Sequence, residues 1–164
     1  MLLPADWLFE TAKLAAQLGG ALLVARLAVR WALHRYKLEK SWEKRLQAYT
    51  DLVVLIGELQ TVERAWLQEM EEGFEWSVEH KSELVRRYRS SWIRLEESRA
   101  MASLLLPDDT AGTIHWLFAS IEQIPENISL YDMHSQTLDS VSKAMEQVVE
   151  QGRKSLGIYV DMRR

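Results

Sequence analysis

The chain has 164 residues, a formal charge of −4 and no cysteine. That length holds one domain beside a short extra segment. The missing thiols exclude disulfides and thiol catalysis, and the acidic balance makes nucleic acid an unlikely partner. Few prolines and glycines interrupt the sequence, and no run alternates apolar and polar residues as a half-buried strand does. The expected class is all-α: an N-terminal transmembrane helix continuing into an antiparallel cytoplasmic bundle of about four helices.

The first element covers residues 8–30, where the only charged or amide side chains are Glu10, Lys13, Gln17, Arg26 and Arg30. As a helix it rises about 34 Å, close to the thickness of a bilayer's hydrocarbon core. Trp7 and Phe9 mark one end, Trp31 and Tyr36 the other. Rings at headgroup depth and cationic chains snorkelling outward anchor a span in this way, so Trp7, Trp31, Tyr36, Arg26 and Arg30 are the expected anchoring residues. The uncharged centre, 14–25, is only 12 residues long, a length also found in buried helices and signal-peptide cores. A cleaved signal fits poorly, because the cations follow the apolar run instead of preceding it. A span, an interfacial helix and a soluble bundle with a buried first helix stay open; the Trp residues at bilayer spacing favour the span.

Charge sets the orientation. Arg26, Arg30, Arg35, Lys37, Lys40, Lys44 and Arg45 crowd the far end of the segment, against Lys13 alone near its start. The positive-inside rule then places the N-terminus outside and the rest in the cytoplasm of a bacterial inner-membrane protein, with the basic collar drawn to anionic lipid. Ala12, Ala16 and Gly20 recur every four residues, and such small faces let two spans approach closely. Lys13 and Gln17 lie one turn apart, and intramembrane polar groups face a bundle interior or a water-filled cavity. These five residues are the expected self-association face. The resulting division is 1–36 for span and basic flank, 37–164 for the bundle.

The helix is expected to continue unbroken past Arg35 to Met70, with Trp42, Leu46, Tyr49, Val53, Ile56, Leu59, Trp66 and Met70 as its buried stripe. Gly73 ends it. A second helix, about Val78 to Leu105, places Leu84, Tyr88, Trp92, Leu95, Ala102 and Leu106 on one side and stops at Pro107. Asp108 and Asp109 are read as the cap of a short third helix bearing Ile114, Leu117, Phe118 and Ile121. After a turn at Pro125 and Asn127, a fourth helix, about Leu130 to Leu156, buries Leu138, Val141, Met145, Val148 and Leu156. Short connections make consecutive helices antiparallel neighbours.

Chemistry is sparse. His34, His80, His115 and His134 are isolated in sequence, with no metal-ligand spacing. No phosphate loop, nucleophile elbow or zinc motif occurs, so no catalytic residue, metal or cofactor is expected. Arg30 and His34 come one residue short of the Arg-x4–6-His signature of helical RNA nucleases, which leaves such activity only a formal possibility. Arg86, Arg87, Arg89, Arg94 and Arg99 make the second helix the most basic stretch. Glu69, Glu71, Glu72 and Glu75, across the turn, are in position to pair with them. Alternatively Arg86, Arg89 and Arg94 face an acidic protein partner or a neighbouring protomer.

The block from Arg26 to Arg30, with Glu39-Lys-Ser-Trp-Glu-Lys-Arg-Leu-Gln-Ala-Tyr49, resembles a group of small bacterial membrane proteins. In these a single span passes into a "Trp-Glu-Lys-x-x-x-Ala-Tyr" cytoplasmic helix. Gly152-Arg-Lys-Ser-Leu-Gly157 resembles their ending. In layout alone the chain is also similar to membrane accessory proteins of type VI CRISPR systems, which assemble into pores. No activity transfers from the resemblance. The expected function is a membrane-anchored, self-associating effector or accessory that permeabilises or remodels the membrane in antiviral defence. Its alternatives are a non-enzymatic tether that recruits a protein through the bundle, and a soluble bundle.

Overall fold

A computed structural model describes residues 5–125 and 127–158; the side chains of 5–10, 12, 15 and 16 lie outside this description. Among the described residues there are four helices and no strand: α1 (Ala5–Glu72), α2 (Val78–Leu105), α3 (Asp108–Glu122) and α4 (Leu130–Ser155). The all-α expectation holds, and the helix ends fall where the sequence punctuates them. Gly73, at φ 68°, adopts the left-handed conformation that closes α1, and its N–H donates to the Glu69 carbonyl. Ser77 and Ser129 cap α2 and α4 through their hydroxyls, which accept from the His80 and Asp132 N–H groups.

One cap differs from expectation. Pro107 is the N-cap of α3, and Asp108 and Asp109 sit inside its first turn without a side-chain cap bond. Proline's fixed φ opens the helix, so the two carboxylates act on the N-terminal dipole instead.

The chain divides into two units at Trp42 and Glu43. In the first, every described side chain from Gln17 to Trp42 is exposed. Among the described residues no helix is long and apolar enough to cross a membrane. The expected N-terminal helix is present, but a transmembrane length of it is not supported. The physical reason is the shortness of its uncharged centre: Lys13 and Arg26 bracket 12 residues, and Arg30 follows.

The second unit is an up-down-up-down bundle of the remainder of α1 with α2, α3 and α4. Glu58 pairs with Arg87 and Glu69 with Lys81, so α1 and α2 run antiparallel. Gln60 bonds Ser142 and Glu71 bonds Tyr131, which sets α4 antiparallel to α1. Trp92 against Phe118 and Arg99 against His115 give the same relation for α2 and α3. Leu52, Leu55, Ile56, Leu59 and Val62 of α1 are all at most 2% exposed. With Leu95, Ile114, Leu117, Val141 and Val148 they form the core. The stripe on α1 is wider than expected, because α1 packs against two flanking helices rather than one. Trp42 and Met70, expected inside, are exposed.

At one end of the core Tyr49 closes the bundle. Its hydroxyl shares a 3.0 Å hydrogen bond with that of Thr110, and its ring lies on the backbone of Gly152. That close approach is possible because Gly152 carries no Cβ.

Candidate functional site

The α1–α2 and α3–α4 connections lie at the same end of the bundle, opposite Tyr49. Between them opens a cavity of about 840 Å³, within the range of small-molecule sites. Trp66 and Phe74 come from α1 and the turn after it, Tyr88 from α2, Ile121 and Ile124 from the end of α3, and Met133 from α4. The wall is mostly apolar, with a few charged groups set in it.

At its floor Glu63 is 3% exposed and receives a 2.6 Å hydrogen bond from His134 Nδ1. A carboxylate only accepts, so Nδ1 carries the proton and Nε2 is left to face other groups. No hydrogen bond among the described residues uses that second nitrogen. Trp66 stacks on the imidazole, with centroids 6.0 Å apart and planes 23° from parallel. Glu63 lies one turn beyond Leu59 on the buried face of α1, and His134 lies one turn before Leu138 on α4. Each helix thus places one ionisable group on an otherwise apolar face, and the bundle brings the two together.

The surrounding electrostatics follow from this pair. Burial pushes the Tyr88 hydroxyl up to about 12, and the negative charge of Glu63 adds to the effect. At the mouth Lys81 holds Glu69 at 2.8 Å, which lowers the Glu69 carboxyl and raises the Lys81 ammonium. Tyr131 donates to Glu71 at 2.9 Å, and its own ionisation is raised by that bond.

The residues singled out from sequence are distributed differently. Arg86 pairs with Glu83 on its own helix, Arg87 with Glu58 of α1, and Arg99 lies 5.6 Å over the Phe118 ring. Of the acidic run across the turn, Glu69 pairs with Lys81 and Glu71 accepts from Tyr131. Arg89 is exposed and lines the cavity, and Arg94 is exposed. In the first unit Lys13, Gln17, Gly20, Arg26, Arg30, Trp31 and Tyr36 are exposed, with the Arg35 guanidinium 5.8 Å from the Trp31 ring centre. The side chains of Trp7, Ala12 and Ala16 lie outside the described residues.

His134, read from sequence as an isolated histidine, is the residue that this reading missed. Its signal was available: position 134 falls in the 3–4 spacing of Thr137, Val141, Ala144 and Val148, the buried seam of α4. Among the described residues no group of three or more His, Asp or Glu side chains could hold a metal ion. No protein-family model, curated protein or solved structure matches this chain.

Proposed function

We propose that the chain is a single-pass membrane-anchored protein whose N-terminal helix inserts and self-associates in the bilayer, with the bundle on the cytoplasmic side. One observation carries this reading: the described apolar side chains of 14–38 are exposed on every side of α1. Leu14, Leu18, Leu22, Leu23, Val24, Leu27 and Val29 are each between 57% and 74% exposed. Leu22, Leu23 and Val24 are consecutive, so they point about 100° apart around the helix. A helix apolar all round lacks the polar face of an interfacial helix and belongs in lipid or in a protein interior.

The uncharged centre spans about 18 Å of helix, against about 30 Å of hydrocarbon. Lys13 at one end, and Arg26 and Arg30 at the other, carry their charges outward on long stems, and local thinning of the bilayer and association between spans take up the remainder. A methyl group added at Gly19 or Gly20 would meet no atom within 4 Å, so a second helix has room to approach there. In this reading the oligomer permeabilises or remodels the membrane, the role expected from the antiviral accessory layout. A tether is the second reading, favoured by Arg94, whose exposed guanidinium is open to a protein partner.

The test is extraction and mass. Carbonate-washed membranes retain the chain, and detergent releases a particle several times the monomer's mass; Gly20→Leu with Lys13→Leu reduces that mass. A chain found in the supernatant overturns anchoring, and a monomeric particle overturns self-association and leaves the tether.

A further inference from the structure

None of the described residues fills the cavity at the connection end of the bundle, and its chemistry is selective. Three ring systems, Trp66, Phe74 and Tyr88, line the same cavity as a carboxylate, Glu63, that is 3% exposed. The Glu69 and Lys81 charges at the mouth cancel one another at 2.8 Å. Glu63 is buried with one carboxylate oxygen taken by His134, and a positive group is the complement that offsets the lost hydration of a buried carboxylate. Ring faces attract the same kind of group through their quadrupoles. Arg89 and Glu75, both exposed, balance one another in number in the lining, which leaves the buried Glu63 to set its sign against phosphate or carboxylate ligands.

We propose that this cavity binds a small organic cation, an amine with an apolar ring-bearing body, whose charge is read by Glu63 and whose body lies among Trp66, Phe74 and Tyr88. His134 acts as a positioning residue. Its Nδ1–H fixes one carboxylate oxygen at 2.6 Å and leaves the other for the ligand, while Trp66 holds the imidazole plane. The volume of about 840 Å³ admits a two-ring body with its side arm. The inference concerns the bundle alone and does not depend on the membrane reading.

The experiment uses three probes with one indole body and different charge: tryptamine, its neutral alcohol analogue and indole-3-acetate. Saturation-transfer NMR measures their binding to the full chain in detergent. Leu130→Trp serves as a plugged control, since Leu130 lines the cavity and is 66% exposed, so the change spares the core. A charge-assisted hydrogen bond gives tryptamine roughly ten- to hundredfold tighter binding than the alcohol. Glu63→Gln lowers tryptamine to the level of the alcohol and leaves the alcohol unchanged, and Leu130→Trp abolishes both. The proposal is overturned if no probe binds, if the cation has no advantage, if the acetate binds best, or if the plugged variant still binds. Circular dichroism confirms that each variant is folded. Should Glu63→Gln not fold, the charge series with the plugged control still decides the outcome.

Discussion

Replacing Gly152 with alanine opposes two effects of known size. In an open helical position the change stabilises by about 0.5–1 kcal/mol, because glycine has more backbone freedom to lose. At Gly152 the new methyl falls 3.1 Å from Cδ1, 3.3 Å from Cγ and 3.4 Å from Cε1 of Tyr49. The ring cannot easily withdraw, being 4% exposed and tied to Thr110 by a 3.0 Å hydrogen bond. Overpacking of this kind costs about 1–3 kcal/mol, so the net change is a destabilisation of about 1–2 kcal/mol. The internal control is Gly112, inside α3, where an added methyl meets nothing within 4 Å. Gly112→Ala therefore stabilises. Thermal unfolding of the purified full chain, followed by far-UV circular dichroism, places the two variants on opposite sides of wild type, with Gly152→Ala lower by roughly 3–8 °C. A Gly152→Ala variant that melts as high as Gly112→Ala would refute the seating of Tyr49 on α4.

Three further outcomes use the same unfolding assay. Leu59→Ala empties a fully buried site and costs about 2–5 kcal/mol; a loss below about 1 kcal/mol would contradict the core described. Thr110→Val leaves the buried Tyr49 hydroxyl without its partner and costs about 1–3 kcal/mol, a loss that Tyr49→Phe in the same chain largely removes. Tyr88 sets a pH window. Its folded value of about 12 lies above the ordinary value near 10. The unfolded chain therefore ionises first, and the Tyr88 contribution is complete below about pH 10 and lost as pH rises to about 12. Denaturant midpoints fall across that window, and Tyr88→Phe flattens the fall; an unchanged slope contradicts the environment assigned to this hydroxyl.

Much of the bundle was readable because its punctuation is local. Pro107 and Gly73 stop their helices through backbone constraints that need no tertiary context, and the α4 seam follows 3–4 spacing. What escaped the reading was set by neighbours. Leu52, Leu55, Val62 and Leu67 are buried on α1 because helices pack on two sides of it, which a single-seam reading omits. Partner choice among surface charges was equally hidden: Glu69 pairs with Lys81 across the turn, and Arg87 pairs with Glu58 through the antiparallel packing of α1 and α2. The Glu63–His134 pair was half legible. Each residue interrupts an apolar face, but only the antiparallel register of α1 and α4 joins positions 71 residues apart.

The exposed apolar side chains all round the N-terminal part of α1 are the centre of the functional account, and the absence of cysteine from the chain allows a direct test. Single cysteines placed at Asp6, Leu22 and Ser41 report their surroundings to a membrane-impermeant maleimide in intact and permeabilised cells. The account predicts labelling of Asp6→Cys from outside, labelling of Ser41→Cys only after permeabilisation, and no labelling of Leu22→Cys in either case. Equal labelling of all three only after permeabilisation would contradict insertion of the helix.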